Sequence, residues 1–141
     1  MNVLAIGCHP DDLEIGCSGT LAKLASNGNN VFMVHVANGN KGHKVIPPDE
    51  LKEIRRKEAI AAGDLIGAEV FSLDIPDLEV KSDNDEIIYQ LVDIIRKTKP
   101  EFIITHPEDD YMKDHMEVSK GVFYSGFAAT VPDYKTTDLV Y

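Results

Sequence analysis

The chain has 141 residues, 43% of them hydrophobic, and its 14 Lys and Arg against 24 Asp and Glu give a formal net charge of −10. That length suits one domain with a real core, and the acidity excludes nucleic acid as a partner, since the densest basic cluster, Arg55-Arg56-Lys57, is flanked by Glu53 and Glu58. No apolar run approaches the roughly 20 residues of a membrane span, the start MNVLAIG lacks a signal-peptide pattern, and Cys8 and Cys17 are too few for a disulfide framework, so a cytoplasmic location with reduced thiols is expected.

In chain order, a buried strand is expected over Val3–Gly7, followed by CHPDDLEIGCSGT at residues 8–20. This stretch sets His9, Pro10 and the adjacent acids Asp11 and Asp12 where a strand ends and a helix begins. Neighbouring carboxylates repel and lose solvation in an enclosed site, so a positive species belongs beside them. A helix follows from Ile15 to Leu24, closed at Gly28, and then a strand over Val31–Ala37. After the glycine-rich loop Asn38–His43, Pro47-Pro48-Asp49 opens a second helix with Leu51, Ile54, Ala61 and Leu65 toward the core and Gly67 at its end. A strand over Val70–Leu73 precedes a third helix, capped from Ser82–Asp85, striped by Ile87, Ile88, Leu91, Val92 and Ile95, and stopped by Pro100. A strand over Phe102–Thr105 and a fourth helix from about Tyr111 to Phe127 complete the pattern. Strand-length apolar runs alternating with helical periods predict a Rossmann-like three-layer α/β sandwich with a mainly parallel sheet.

In such sheets ligands bind beyond the carboxyl ends of the strands. Four polar clusters follow strand ends: Cys8–Glu14, Asn38–His43, Asp74–Asp77 and His106–His115. His9 and Asp12 can offer a nitrogen and an oxygen to one ion, and His115, arriving from another strand end, can complete a set of three. Three protein ligands with a fourth position for water describe a catalytic zinc site, with iron, cobalt or manganese as alternatives for mixed nitrogen and oxygen donors. Asp11 is then free to act as the base that takes a proton from the attacking water.

The segments AIGCHPDDLEIGCSGTLAKL at 5–24, IRRKEAIAAGDLIGAEV at 54–70 and EDDYMKDH at 108–115 resemble the LmbE-like or PIG-L deacetylases, zinc enzymes that remove the N-acetyl group from N-acetylglucosamine-containing substrates. The resemblance implies the LmbE-like fold, zinc on His9, Asp12 and His115, Asp11 as general base, and Arg55, in an Arg-x-x-Glu pattern with Glu58, as a substrate contact. Asn38, His43 and His106 are further substrate-binding candidates, with Glu14, Asp110 and Asp114 supporting the site from behind. A small amino-sugar conjugate is the expected partner, and homo-oligomerisation is left open. Two departures stand out: Met112 and Lys113 replace a His and a Pro common in the family, and the chain ends at Asp138-Leu139-Val140-Tyr141, which reads as the start of a strand. Residues 1–141 are therefore expected to form a single LmbE-like domain lacking its C-terminal part.

The competing readings are plainer. Asp12 alone could be a helix N-cap. His35, inside an apolar strand, reads as a packed core histidine, Cys8 and Cys17 as small buried hydrophobes, and Asp77 as a loop acid that touches substrate or orients a ligand. A dinucleotide site is disfavoured because Gly7 is followed by Cys8-His9-Pro10 and not by G-x-G-x-x-G. The alternative to a deacetylase is a metal-binding but catalytically inactive Rossmann-like domain.

Overall fold

A computed structural model describes residues 1–134 and 136. The elements are β1 (Asn2–Gly7), α1 (Asp12–Gly16), α2 (Ser18–Ser26), β2 (Asn30–Ala37), α3 (Pro48–Ile66), β3 (Glu69–Ile75), α4 (Asp85–Thr98), β4 (Phe102–Thr105) and α5 (Lys113–Ala128). The four strands form one parallel sheet in the order β3-β2-β1-β4. The expected three-layer α/β architecture is thus the observed one. The strand expected to start at Asp138-Leu139-Val140-Tyr141 lies outside the described residues.

Alternating strand residues feed two cores, as a sheet covered on both faces requires. Leu4, Ile6, Val34, Val36, Phe71 and Leu73 pack with Ile87, Leu91 and Ile94 of α4 and Val118 and Val122 of α5. Val3, Ala5, Val31 and Met33 turn the other way, against Leu13, Leu21 and Ala68. On α5, Phe123, Tyr124 and Phe127 stay exposed.

Two helices differ from expectation. The helix expected over Ile15–Leu24 is split at Cys17, whose φ of −146° leaves the helical region, while Ser18 Oγ bonds back to Glu14 O at 2.6 Å. On α3 the core face runs through Leu51, Ala59 and Gly63, whereas Ala61 and Leu65 face solvent. That face is set by steps of four residues, and Arg55 occupies one of its positions, four after Leu51 and four before Ala59.

Gly63 allows α3 to lie close on β3, because a Cβ there would overlap Val70 Cγ2 and sit 3.1 Å from Ala68 O. Gly63→Ala should lower stability by about 1–3 kcal/mol through overpacking. Gly19→Ala on α2, where an added Cβ meets nothing within 4 Å, should leave stability unchanged or raise it by about 0.5–1 kcal/mol. Urea midpoints of the two variants against the parent check the pair.

Candidate metal centre and active site

The turn after β1 is closed by one of the acids. Gly7 has no side chain to meet Leu13, whose Cγ would lie 2.8 Å from a Cβ, so α1 starts hard against the end of the strand. Asp12 Oδ2 accepts the backbone N–H of His9 at 2.7 Å, and Asp11 takes the strained φ of +146° that the reversal demands. Asp12 is the first residue of α1, and its carboxylate points back into the turn, so it is not the N-cap that the plainer reading offered.

Three imidazoles approach that same oxygen, and two of them, His9 and His115, are backed by a carboxylate. His9 Nδ1 lies 3.4 Å and His115 Nε2 3.3 Å from Asp12 Oδ2. Behind each ring stands a second carboxylate: His9 Nε2 is 3.4 Å from Asp114 Oδ2, and His115 Nδ1 is 3.2 Å from Asp110 Oδ1. A carboxylate on the far nitrogen favours the tautomer with its proton there, which frees the near nitrogen of a neutral imidazole to bind a metal. His115 Nε2 is buried and makes no hydrogen bond. A neutral imidazole nitrogen facing a carboxylate is repelled unless a proton or a cation lies between them.

The acids also govern protonation. Burial works against a charge on His9, but the hydrogen bond to Asp12 and the charges of Asp12, Asp77 and Asp114 outweigh it and raise its pKa above 6.5. Burial likewise works against charge on Asp12, yet the His106, His9 and His115 rings beside it and the His9 backbone N–H hold its carboxyl well below the usual range. The Asp110 carboxyl is also lowered, first by the Met112 N–H and then by His115.

Asp12 belongs to two groups whose donor atoms lie within 4.8 Å of one another: Cys8, His9 and Asp12, and Asp12, His106 and His115. Two of these donors are poorly placed to bind a metal. Burial, followed by the charges of Asp114, Asp12 and Asp77, pushes the Cys8 thiol far up, which keeps it protonated. His106 Nε2, 3.4 Å from Asp12, already accepts the Cys8 N–H at 2.9 Å, while the ring stacks on His115 at 4.0 Å between centroids. His9, Asp12 and His115 remain as donors, and the 3.4 and 3.3 Å approaches of the two rings to Asp12 Oδ2 are close to the roughly 3.3 Å edge of a tetrahedron built on bonds of about 2.0–2.1 Å, although the three donors do not all lie within 4.8 Å of one another.

Around this floor runs a cleft of about 370 Å³ lined by Asp11, Lys41, Arg55, Asp77 and Met112 among others. Asp11 faces it half exposed and pairs with Arg55 Nη2 at 2.8 Å. The same guanidinium donates to Pro10 O and to Gly39 O, so Arg55 ties the turn after β1 to the loop after β2. A Cβ on Gly39 would lie 2.6 Å from Arg55, which explains the glycine in this loop without any phosphate. Asp77, buried, accepts from Gly39 N at 2.8 Å and Lys41 N at 3.0 Å and sits 4.0 Å from His9 Nε2.

Other expected residues serve the framework. Asn38 bonds Asp74 and Asn40 across the ends of β2 and β3. His43 Nδ1 accepts the N–H groups of Val45 and Ile46 within its own loop. Glu14 lies 3.2 Å from the buried His35, and the hydrogen bond to that ring lowers its pKa despite burial. Glu58 is exposed on α3. Cys8 is buried and Cys17 partly so, both as free thiols. Ile15, Leu78 and Tyr111 also line the cleft, and the sequence reading passed over them as ordinary apolar residues. Their one available signal was position, since each adjoins an acid of the site in the chain.

The family model for GlcNAc-PI de-N-acetylase, PIG-L, matches residues 4–124. The chain belongs to the PIG-L family. Among its relatives, the 4-oxalmesaconate hydratase of Pseudomonas putida is 30% identical over 81% of this chain and 47% of its own length. The diacetylchitobiose deacetylase of Thermococcus kodakarensis is 28% identical over 98% of this chain and 54% of its own. The crystal structure of N,N'-diacetylchitobiose deacetylase from Pyrococcus horikoshii, in complex with an inhibitor, superposes with a TM-score of 0.86 at 29% identity, over 94% of this chain and 51% of that one. The chain thus spans about half the length of these PIG-L relatives. None of the described helices is long and apolar enough to cross a membrane.

The titrating groups fix the pH response of the metal-free PIG-L chain. His9 has a raised pKa, so its stabilisation is complete below about pH 6.5 and is lost as pH rises through the folded-state value; Asp12 is lowered from 3.8, so its share is present above that value and lost on further acidification. Urea midpoints in chelator should fall on the alkaline side of pH 6.5, and His9→Gln should flatten that arm. Asp110→Asn should weaken metal binding by about 10–100-fold by releasing the orientation of His115, read by competition with a chromogenic chelator.

Proposed function

We propose that the chain hydrolyses the N-acetyl amide of an N-acetylglucosamine-containing small molecule, releasing acetate and the free amine, as one LmbE-like domain over residues 1–141. The observation that carries this reading is the pair of carboxylate-backed imidazoles converging on Asp12 Oδ2 at 3.3 and 3.4 Å, with Asp11 in the adjoining cleft. A divalent cation, zinc by the chemistry of the donors, would be held by His9, Asp12 and His115 and would supply Lewis acidity and a more acidic water.

The chain's own residues do the rest. Asp11 takes a proton from the water as its oxygen bonds to the amide carbon. The carbon–nitrogen bond then breaks, and the nitrogen leaves with a proton returned by Asp11. Arg55 holds the Asp11 carboxylate at the cleft edge through its 2.8 Å ion pair, so the base is oriented before substrate arrives. Lys41 lines the cleft with its ammonium held by Asp77 O and Glu79, which leaves it one further N–H to donate to a sugar hydroxyl.

A second reading has its own support. Met112 stands at the cleft where the family commonly carries a His, and a thioether cannot donate a proton to a leaving amine. Addition of water to a carbon–carbon double bond has no amine to expel, and a relative 30% identical is named a hydratase. Both reactions need the same activated water.

Two neighbouring substitutions test the proposal. Asp12→Asn should lose metal and activity together, whereas Asp11→Asn should keep metal and slow the chemical step by roughly 10²–10⁴-fold with KM little changed. The measurements are elemental analysis beside initial rates of acetate release from chitobiose-type, inositol and malate conjugates of N-acetylglucosamine. No acetate from any of them, with hydration of an unsaturated dicarboxylic acid detected by absorbance, would replace the first reading by the second. Retained acetate release after complete metal removal would overturn the metal assignment.

A further inference from the structure

Leu78 has a backbone that its side chain does not suit. Its φ is +68°, a left-handed conformation that glycine adopts freely and residues with a Cβ do not. The site itself holds it there: Leu78 N–H donates to Asp114 Oδ2 at 2.7 Å, and the same buried carboxylate backs His9. The fold gains almost nothing from the leucine in return, because the residue is 73% exposed. A strained, mostly exposed residue that stands beside the proposed reacting groups points to function.

Its surroundings show what that function is. Ile15, from α1, and Tyr111, just ahead of α5, are 84% and 89% exposed and line the same cleft as Leu78. Scattered exposed apolar residues are ordinary, but three from separate parts of the chain around one polar cleft form a collar. The floor beneath is buried and charged, with His9 and Asp77 each less than a tenth exposed. Tyr111 meets the His115 ring edge-on at 5.8 Å between centroids, so the collar begins beside the floor, and with side chains this exposed it extends from there to solvent. What reaches them is the group attached beyond the amine-bearing sugar.

We infer that Leu78 is a specificity-determining residue, which with Ile15 and Tyr111 selects acetamido sugars carrying an apolar-faced group at the mouth of the cleft. This rests on the deacetylase reading for the reacting end of the substrate and adds the chemistry of its other end. An alkyl or aryl aglycone meets the requirement, as does a second sugar presenting its C–H face to Tyr111.

The test compares methyl and hexyl N-acetylglucosaminides as substrates, and methyl and hexyl glucosaminides, their amine products, as calorimetric ligands of the purified protein. The parent should show a KM about tenfold lower for the hexyl substrate at similar kcat, and a matching preference in product binding. In Leu78→Gly both ratios should fall toward one while the thermal midpoint equals or exceeds the parent's, since the strain is relieved and little burial is lost. Leu78→Asn, which tolerates the left-handed backbone but is polar, should lose the preference as well and covers the case in which the glycine variant folds poorly. Leu65→Ser, at an 87% exposed position on α3 away from the cleft, should leave the ratios unchanged.

A parent without preference, or Leu78 variants that retain it, would overturn the inference while leaving deacetylation standing. A hexyl preference in binding without acetate from either substrate would leave the collar standing and remove deacetylation. Neither binding nor release would remove both.

Discussion

Asp12 Oδ2 receives the His9 N–H and faces one nitrogen each of His9, His106 and His115, and the placement of these groups depends on how β1 and β4 pair. The parallel register sets Ile6 opposite Thr105, so Gly7 and His106 leave the sheet at the same level. From there α1 carries Asp12 and α5 carries Asp114 and His115 back over the strand ends. Since strand ends in a parallel sheet are where polar backbone is free of the ladder, this is the one edge where such a density of acid can be solvated or paired. The cost is repulsion among Asp12, Asp77 and Asp114 around His9. It is offset by any positive charge placed among them, whether a proton on His9 or a cation shared with His115.

Loop order beside this centre comes from Arg55 and Asp77. Arg55 lies on the stripe of α3 that faces the molecule, a position where a residue four after Leu51 would ordinarily be apolar. Its charge is answered by Asp11 and by the carbonyls of Pro10 and Gly39. Asp77 answers the N–H groups of Gly39 and Lys41 from the opposite side. The loop after β2 is therefore gripped by a cation on its carbonyl and an anion on its amides, and the base candidate Asp11 shares the same cation. Orientation of the base and closure of the cleft wall are one network, so a change at Arg55 acts on both.

Much of this was legible in the residues. The strands were written as apolar runs, and the third helix, α4, announced itself by its five-residue apolar stripe, its Asn84 cap and Pro100. Less visible was the face of α3, because Ala61 and Leu65 fit a helical period as well as Ala59 and Gly63 do; close packing of Gly63 on Val70 decided between them, and that is a tertiary fact. The break at Cys17 is flanked by Gly16 and Gly19, but isolated glycines are tolerated within a helical pattern and did not mark it. At the site, the His-Pro-Asp-Asp turn singled out the acids, and the carboxylates behind the imidazoles were named as supporting residues. The sequence could not say that Asn38 and His43 spend their polar atoms on their own loops, or that Arg55 is already partnered, because side-chain pairings across loops leave no periodic trace. Leu78 was invisible for a different reason: a leucine carries no sign of the backbone angle it is held in.

The relatives in this family are named for reactions as different as amide hydrolysis and hydration of an unsaturated acid. The division of the cleft accounts for how one fold could serve both. On the proposed reading, activating a water needs a cation site and a base, and both would fall to residues at strand ends and helix starts: His9, Asp11, Asp12 and His115. Choosing what the water attacks would fall to Leu78, Tyr111, Met112 and Lys41, which line the cleft from segments between elements, where side chains change without disturbing either core. Met112 illustrates the boundary. Its N–H holds Asp110, and Asp110 orients His115, so its backbone belongs to the water-activating half while its side chain lines the half that meets the substrate. On the hydrolytic reading Asp11 returns the proton to the leaving nitrogen, and a thioether at position 112 adds no second donor while its backbone bond to Asp110 stays in place.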